Sequence, residues 1–235
     1  MKNNKRKQLE QSKYSFEIPP APIPDDEISE TVKTGVVVIG AGTAGLVCAN
    51  SAVESGAKLI LISASDRPVS RGGSNHAINT KLTRQLGIKY DIGKNFKQEM
   101  DRAGGRIDQT KWSLFANRSG EAMDWLIDKM VAAGYTPVLE KTETDPDGLI
   151  SAFPGSHGFI GKNIKRAGMG QPFVVKTLAK LAQAAGVQLH FNTIAKQLTR
   201  EKNNTVRDLD QLAEFFDTFG LKSQFFQTEQ HHLRR

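Results

Sequence analysis

The tightest constraint on this chain lies between residues 36 and 62. Val36-Val37-Val38-Ile39 is a continuous apolar, β-branched run, the pattern of a strand buried on both faces. Gly40-Ala41-Gly42-Thr43-Ala44-Gly45 follows, and Ala44–Ser55 reads as a helix that closes near Gly56. Lys58-Leu59-Ile60-Leu61-Ile62 is a second apolar run. Strand, tight turn, helix and strand within about 30 residues make a βαβ unit, whose crossover is right-handed and whose sheet is parallel. The fold class is α/β.

The glycine spacing carries chemistry of its own. Gly40 permits the sharp strand-to-helix turn, Gly42 lets a pyrophosphate come against the backbone, and Gly45 lets the helix pack closely on the strand. Free amides at the helix start, with the positive end of its dipole, suit a diphosphate. This arrangement predicts dinucleotide binding through Gly40, Ala41, Gly42, Thr43, Ala44 and Gly45; the competing reading is a tight turn without a ligand.

At the end of the second strand an acidic residue would grip a ribose, but Ser63 stands there, with Asp66 in the loop as a substitute. Ser70-Arg71-Gly72-Gly73-Ser74-Asn75-His76 comes next. Its paired glycines and small polar residues form a second backbone surface able to approach a flat or phosphorylated group, and Arg71 can pair with phosphate. Read alone it is an ordinary Gly-Gly loop; its place directly after the second strand favours the ligand-facing reading.

Composition closes off other classes. Cys48 is the only cysteine, so there is no disulfide framework, and it reads as a small buried apolar residue on the helix. No apolar stretch approaches the roughly 18 residues of a membrane span. The formal charge of +7 is spread thinly, with Lys2, Lys5, Arg6 and Lys7 as a solvated basic tail, and no nucleic-acid motif accompanies it. No metal-ligating pattern is read. The N-terminus has no secretory signal, so the expected location is cytoplasmic.

Along the rest of the chain, residues 1–34 contain no glycine and four of the nine prolines, which predicts an extended arm with ordered structure beginning near Val36. Ser119 reads as the cap of a helix bearing Met123, Leu126, Ile127, Met130 and Val131, stopped by Gly134. A further helix starts at Pro172 and ends at Gly186, and Val187–Phe191 alternates like a strand. Between the two helices, residues 148–170 read as an irregular, ligand-facing loop. Near the C-terminus, Asp208 caps an expected helix bearing Leu209, Leu212, Phe215, Phe216 and Phe219.

Together, Val36–Gly45, the Gly72–Asn75 loop and Gly170–Ala195 resemble the FAD-binding domain of the fumarate reductase/succinate dehydrogenase flavoprotein family, over about residues 34–202. The resemblance implies a Rossmann-like FAD-binding domain with a parallel sheet, incomplete at its C-terminal end. It implies FAD as cofactor, with its pyrophosphate on Gly40, Gly42 and Gly45. The flavin ribityl and ring would lie by Gly72, Gly73, Ser74 and Asn75, and adenine would lie against a backbone group near Ala195. The implied reaction is hydride transfer between flavin N5 and a C=C bond of a small, enoate-like substrate.

Several departures accompany the resemblance. Ser63 replaces the family's Glu, and Ile78-Asn79-Thr80 stands where a second Gly-Gly usually falls. The segments that carry the family's substrate-binding and proton-donating groups are absent, so no catalytic residue is named. His157 is the best-placed polar candidate to face a flavin cavity, and is otherwise a loop histidine; His76 is read as a loop histidine rather than a covalent flavin attachment. The expected organisation is an arm over 1–34, the N-terminal portion of the FAD-binding domain over 35–202, and a divergent helical or disordered tail over 203–235. The alternatives are a truncated, inactive fragment and a non-enzymatic dinucleotide-binding module whose Phe-rich tail engages a protein partner.

Overall fold

A computed structural model describes residues 18, 21, 23–73, 75–140, 154–164, 170–200, 206–212 and 225–228. In chain order the elements are β1 (Thr31–Thr34), β2 (Val36–Ile39), α1 (Thr43–Glu54), β3 (Leu59–Ile62), β4 (Asn75–His76), α2 (Lys81–Gln85), α3 (Ile92–Arg102) and α4 (Gln109–Ala132). They continue with β5 (Thr136–Leu139), β6 (Ser156–Ile160), α5 (Gln171–Ala184), β7 (Gln188–His190), β8 (Ile194–Arg200), β9 (Val206–Leu212) and β10 (Phe225–Thr228). Two units divide the chain: residues 1–40, 52–66 and 187–235 form one, and residues 41–51 and 67–186 the other.

The first unit carries the parallel sheet that the sequence predicts, in the order β2-β3-β7. Val36 pairs with Leu59 and Ile62 with His190. The central strand, β3, is buried at all four residues, which is why its sequence has no polar position. The expectation of burial on both faces fails for β2. Among the described residues β2 is an edge, only Val38 is buried, and Ile39 is 52% exposed. A second sheet, β1-β10-β9-β8, lies in the same unit. Val32 of β1 and Ala195 of β8 pack with Val37 against Ile60 and Ile62.

Two expectations are corrected here. Order begins before Val36, because β1 pairs in parallel with β10, Thr31 against Phe225. The stretch from Asp208 to Leu212 is strand rather than helix: Leu209 pairs with Leu198 and Leu212 with Ile194. Antiparallel pairing with β8 outweighs a local 3.6-residue apolar spacing. The later members of that spacing, Phe215, Phe216 and Phe219, lie outside the described residues.

In the second unit the antiparallel sheet β4-β6-β5 accompanies the helices. Helix α4 begins earlier than the Ser119 cap predicts. Its N-cap is Asp108, whose carboxylate accepts from the Lys111 amide, and Ser119 sits mid-helix with Oγ accepting from Ile78 N at 3.2 Å. Gly134 and Gly186 end α4 and α5 where the sequence places them. The expected loop over residues 148–170 contains strand β6, because Ser156–Ile160 finds partners on both sides, β4 and β5. Cys48 is exposed, not buried, since α1 turns Leu46, Ala49 and Asn50 inward and leaves position 48 outside that stripe.

Candidate functional site

The glycine turn has the geometry its spacing demands. Strand β2 ends at Ile39, and Gly40 takes φ = +103°, a left-handed value that penalises any side chain. Its amide donates to Ile62 O at 2.7 Å, so the turn is tied to the end of β3. The first intrahelical bond of α1 runs from Leu46 N to Gly42 O at 3.0 Å. The amides of Thr43, Ala44 and Gly45 precede that bond and have no helical acceptor. Ala41 is buried, and its carbonyl accepts from Val69 N at 3.2 Å, which brings the loop after β3 back to the turn.

That return builds a cleft of about 450 Å³ lined by Gly42, Thr43, Val69, Ser70, Arg71, Gly72, Asn75 and Gln171. Gly72 and Gly73 have φ values of +80° and +82°, so the paired glycines are needed for the chain to turn beside it. Ser74 lies outside the described residues. Ser70 Oγ and Asn75 Nδ2 are buried without a hydrogen-bond partner. Buried polar atoms are almost always satisfied, so two orphans lining one cleft are what a polar ligand would complete. No acidic residue occupies the first turn of α1, and Arg71 makes no ion pair among the described residues, which leaves the local charge positive. The residues present therefore fit a phosphorylated cofactor.

Asn75 is held from behind by β6, where it pairs with His157. His157 is 0% exposed and both ring nitrogens are engaged. Gly155 O, 2.7 Å from Nδ1, can only accept, so Nδ1 carries the proton. Nε2 then accepts from the Thr80 hydroxyl at 2.8 Å. Burial holds this histidine below its ordinary pKa, against opposing contributions from the Gly155 bond and the Asp124 charge. The candidate cavity-facing or loop histidine is thus a neutral, fully satisfied member of the scaffold. It fixes Thr80, which caps α2 by accepting from Thr83 N. His76 packs its ring 6.3 Å from Phe115, and its pKa is lowered first by burial and then by His157.

Ser63 and Ala195 belong to the first unit. Ser63 is buried, its Oγ is 2.8 Å from Ser65 Oγ, and its carbonyl accepts from Thr193 N. Ala195 packs its methyl on Ile60 and Ile62 beside a register shift in the β8–β9 ladder. The structure brings Gly42, Thr43, Arg71, Gly72 and Asn75 together around the cleft with Ser70 of the same loop, and adds Val69 and Gln171, which the sequence reading missed. Gln171 had a signal: it stands between Gly170 and Pro172, at a helix start. No group of acidic, histidine or cysteine side chains able to hold a metal occurs among the described residues. No helix among them is long and apolar enough to cross a membrane.

Comparison with known proteins adds an independent line. The family model described as "FAD binding domain" matches residues 35–209. A probable fumarate reductase of Shewanella frigidimarina is 24% identical over 217 residues, 82% of this chain and 34% of that protein. A vinyl phenol reductase of Lactiplantibacillus plantarum is 25% identical over 177 residues, 73% of this chain and 32% of that protein. Among solved structures, the open conformation of a flavocytochrome c3 fumarate reductase superposes with a TM-score of 0.66 at 19% identity, covering 92% of this chain and 36% of the other. A 3-ketosteroid-Δ4-(5α)-dehydrogenase from Rhodococcus jostii also gives 0.66, at 17% identity over 89% of this chain and 47% of the other. The chain spans about a third of the length of the curated relatives it matches.

Proposed function

The chain belongs to the FAD binding domain family, with FAD as its cofactor, and from that premise we propose that it serves a flavin-dependent oxidoreductase acting on a C=C bond of a small, enoate-like substrate. The observation that carries the reading is the pair of buried, unpartnered polar atoms, Ser70 Oγ and Asn75 Nδ2, in the cleft that opens on the α1 amides. The family match and the reductase relatives support it.

In this reading Gly40–Gly45 would present backbone amides to the diphosphate, with Arg71 adding an exposed positive charge. Gly72, Gly73, Ser74 and Asn75 would hold the ribityl chain and ring. Ser63 would offer a hydroxyl to the adenosine ribose, and a backbone group near Ala195 would hold adenine. Bound FAD supplies hydride exchange between its N5 and an alkene carbon. The protein's part within the described residues is to bind and orient the cofactor, and the α1 dipole offsets its negative charge. Substrate-binding and proton-donating groups are not assigned to this chain.

The test is spectroscopic first. Purified protein reconstituted with excess FAD should stay yellow after desalting, and Gly42→Val, which puts a branched side chain where the cofactor meets the backbone, should be colourless. A colourless wild-type protein would overturn the cofactor site. Next, enoates should accelerate oxidation of reduced viologen by the yellow protein. Yellow protein that is inert with a panel of enoates would instead favour a binding module without turnover.

A further inference from the structure

Thr43 Oγ1 meets Gln171 Oε1 at 3.5 Å, and Asn50 Nδ2 donates to Leu178 O at 2.9 Å. Both contacts join residues 128 apart in sequence. Seven residues on in α1 therefore corresponds to seven on in α5. The two helices run parallel and in register, with their N-termini at the same end. Gln171 is 6% exposed and lines the same cleft as Gly42 and Thr43.

Among the described residues, no carboxylate compensates either helix start. Both lack an acidic residue in the first turn, and Gly170 gives α5 no side-chain cap. In contrast, Thr80, Asp91 and Asp108 cap α2, α3 and α4 with side-chain oxygens. Yet α5 has few backbone donors to offer. Pro172 has no amide hydrogen, and the Phe173 and Val174 amides both go to Gly170 O, at 3.0 and 3.1 Å. With Oε1 facing the Thr43 hydroxyl, Gln171 Nε2 is the side-chain donor left over at this helix start, with no partner among the described residues. Ser70 Oγ and Asn75 Nδ2 in the same cleft point independently to a polar ligand.

We propose that Gln171 is a cofactor-binding residue, donating Nε2–H to a diphosphate oxygen of FAD, so that α5 makes a second seat for negative charge beside the glycine turn. The proposal rests on the FAD reading above. With the Thr43 hydroxyl 3.5 Å from Oε1, the two Nε2 hydrogens are left for the ligand.

The experiment is a titration of the full-chain apoprotein with FAD, and with ADP as a probe carrying only the diphosphate half. Wild type, Gln171→Glu, Gln171→Met and Gly42→Val are compared. Both Gln171 variants are expected to bind FAD and ADP roughly tenfold to a hundredfold more weakly, the order for a lost hydrogen bond to a charged acceptor. Gln171→Glu should be the weaker of the two at low salt, with the gap closing as salt screens the added repulsion. Should Gln171→Met melt early, the comparison rests on Gln171→Glu, which keeps the Thr43 contact. Wild-type affinity in the folded Gln171 variants, with Gly42→Val unable to bind, would overturn the Gln171 assignment alone. Wild-type protein that binds neither FAD nor ADP would overturn the FAD site itself.

Discussion

Replacing Gly120 by alanine adds one methyl group to the buried side of α4 and tests whether close backbone approach, not chance, put glycine there. A Cβ at this position would fall 2.6 Å from Ile78 O and 2.8 Å from Asn79 O. Carbonyl oxygens cannot swing aside as a side-chain end can, so the 78–79 segment or the helix must retreat by several tenths of an ångström. Two hydrogen bonds resist: Ile78 N to Ser119 Oγ at 3.2 Å, and Thr80 Oγ1 to His157 Nε2 at 2.8 Å. Overpacking of this kind costs about 1–3 kcal/mol, and weakening one of those bonds costs about 1 kcal/mol more. Against this, alanine is favoured over glycine in a helix interior by about 1 kcal/mol. The expected net loss is about 2 kcal/mol, or a fall in Tm of about 4–8 °C for a chain of this size. Urea and thermal unfolding of Gly120→Ala read it directly, with Ala122→Gly, exposed on the same helix, calibrating the propensity contribution. A Gly120→Ala protein as stable as wild type, or more stable, would refute the close-approach argument.

Other consequences follow from single contacts. His157 is held neutral by burial, so the unfolded chain takes up a proton near the ordinary value of 6.5 while the folded chain resists; stability should be fully present above that pH and fall as pH drops through it. His157→Gln should flatten that part of the pH profile of urea midpoints; an unchanged slope would remove His157 as its source. Asn50→Leu keeps the branching at Cγ but leaves Leu46 O and Leu178 O without their side-chain donor, at 2.8 and 2.9 Å, and should cost about 1–3 kcal/mol in unfolding experiments. Ser63→Ala should weaken FAD binding by about 1 kcal/mol in a fluorescence titration; an unchanged dissociation constant would take Ser63 out of the cofactor site.

What the sequence made legible was whatever depends on local spacing. The 36–62 unit, the turn at Gly40 and the ends of α4 and α5 at Gly134 and Gly186 follow from apolar periodicity and the residues that permit φ > 0. Residues whose role depends on distant partners were illegible. Ser119 looks like a cap because its hydroxyl precedes an apolar stripe, but the acceptor's partner is Ile78, 41 residues away. His157 looks like a loop histidine because it stands between glycines, yet β4 and β5 flank it from either side. Asp208 looks like the start of a helix until β8 supplies a ladder. Gln171 is marked in the sequence only by its place at a helix start, between Gly170 and Pro172; the register of α5 against α1 is what gives it a place in the cleft.

The buried polar atoms of the second unit sort themselves by what satisfies them. Asn50, Thr80 and His157 spend their hydrogen bonds inside the protein, on Leu178 O, on Thr83 N and on Gly155 O. Asn50 ties α1 to α5, and Thr80 and His157 tie their two segments together through their mutual 2.8 Å bond, so removing any of them would be felt as lost stability. Ser70 Oγ and Asn75 Nδ2 are equally shut off from solvent yet have no partner, and both line the cleft at the start of α1 and α5. Asn95 Nδ2 shares their lack of a partner but not their place, so burial alone does not mark a ligand site. The coincidence of orphaned polar atoms with two helix starts that have no acidic residue in the first turn does. A buried donor left unpaired costs about 1–3 kcal/mol, and the protein recovers that cost only when an acceptor enters. Cofactor binding should therefore raise the Tm of wild type by more than it raises that of a Ser70→Ala, Asn75→Leu double variant, which has no such deficit to recover. Equal shifts on saturating FAD would mean that these two side chains find their partners elsewhere.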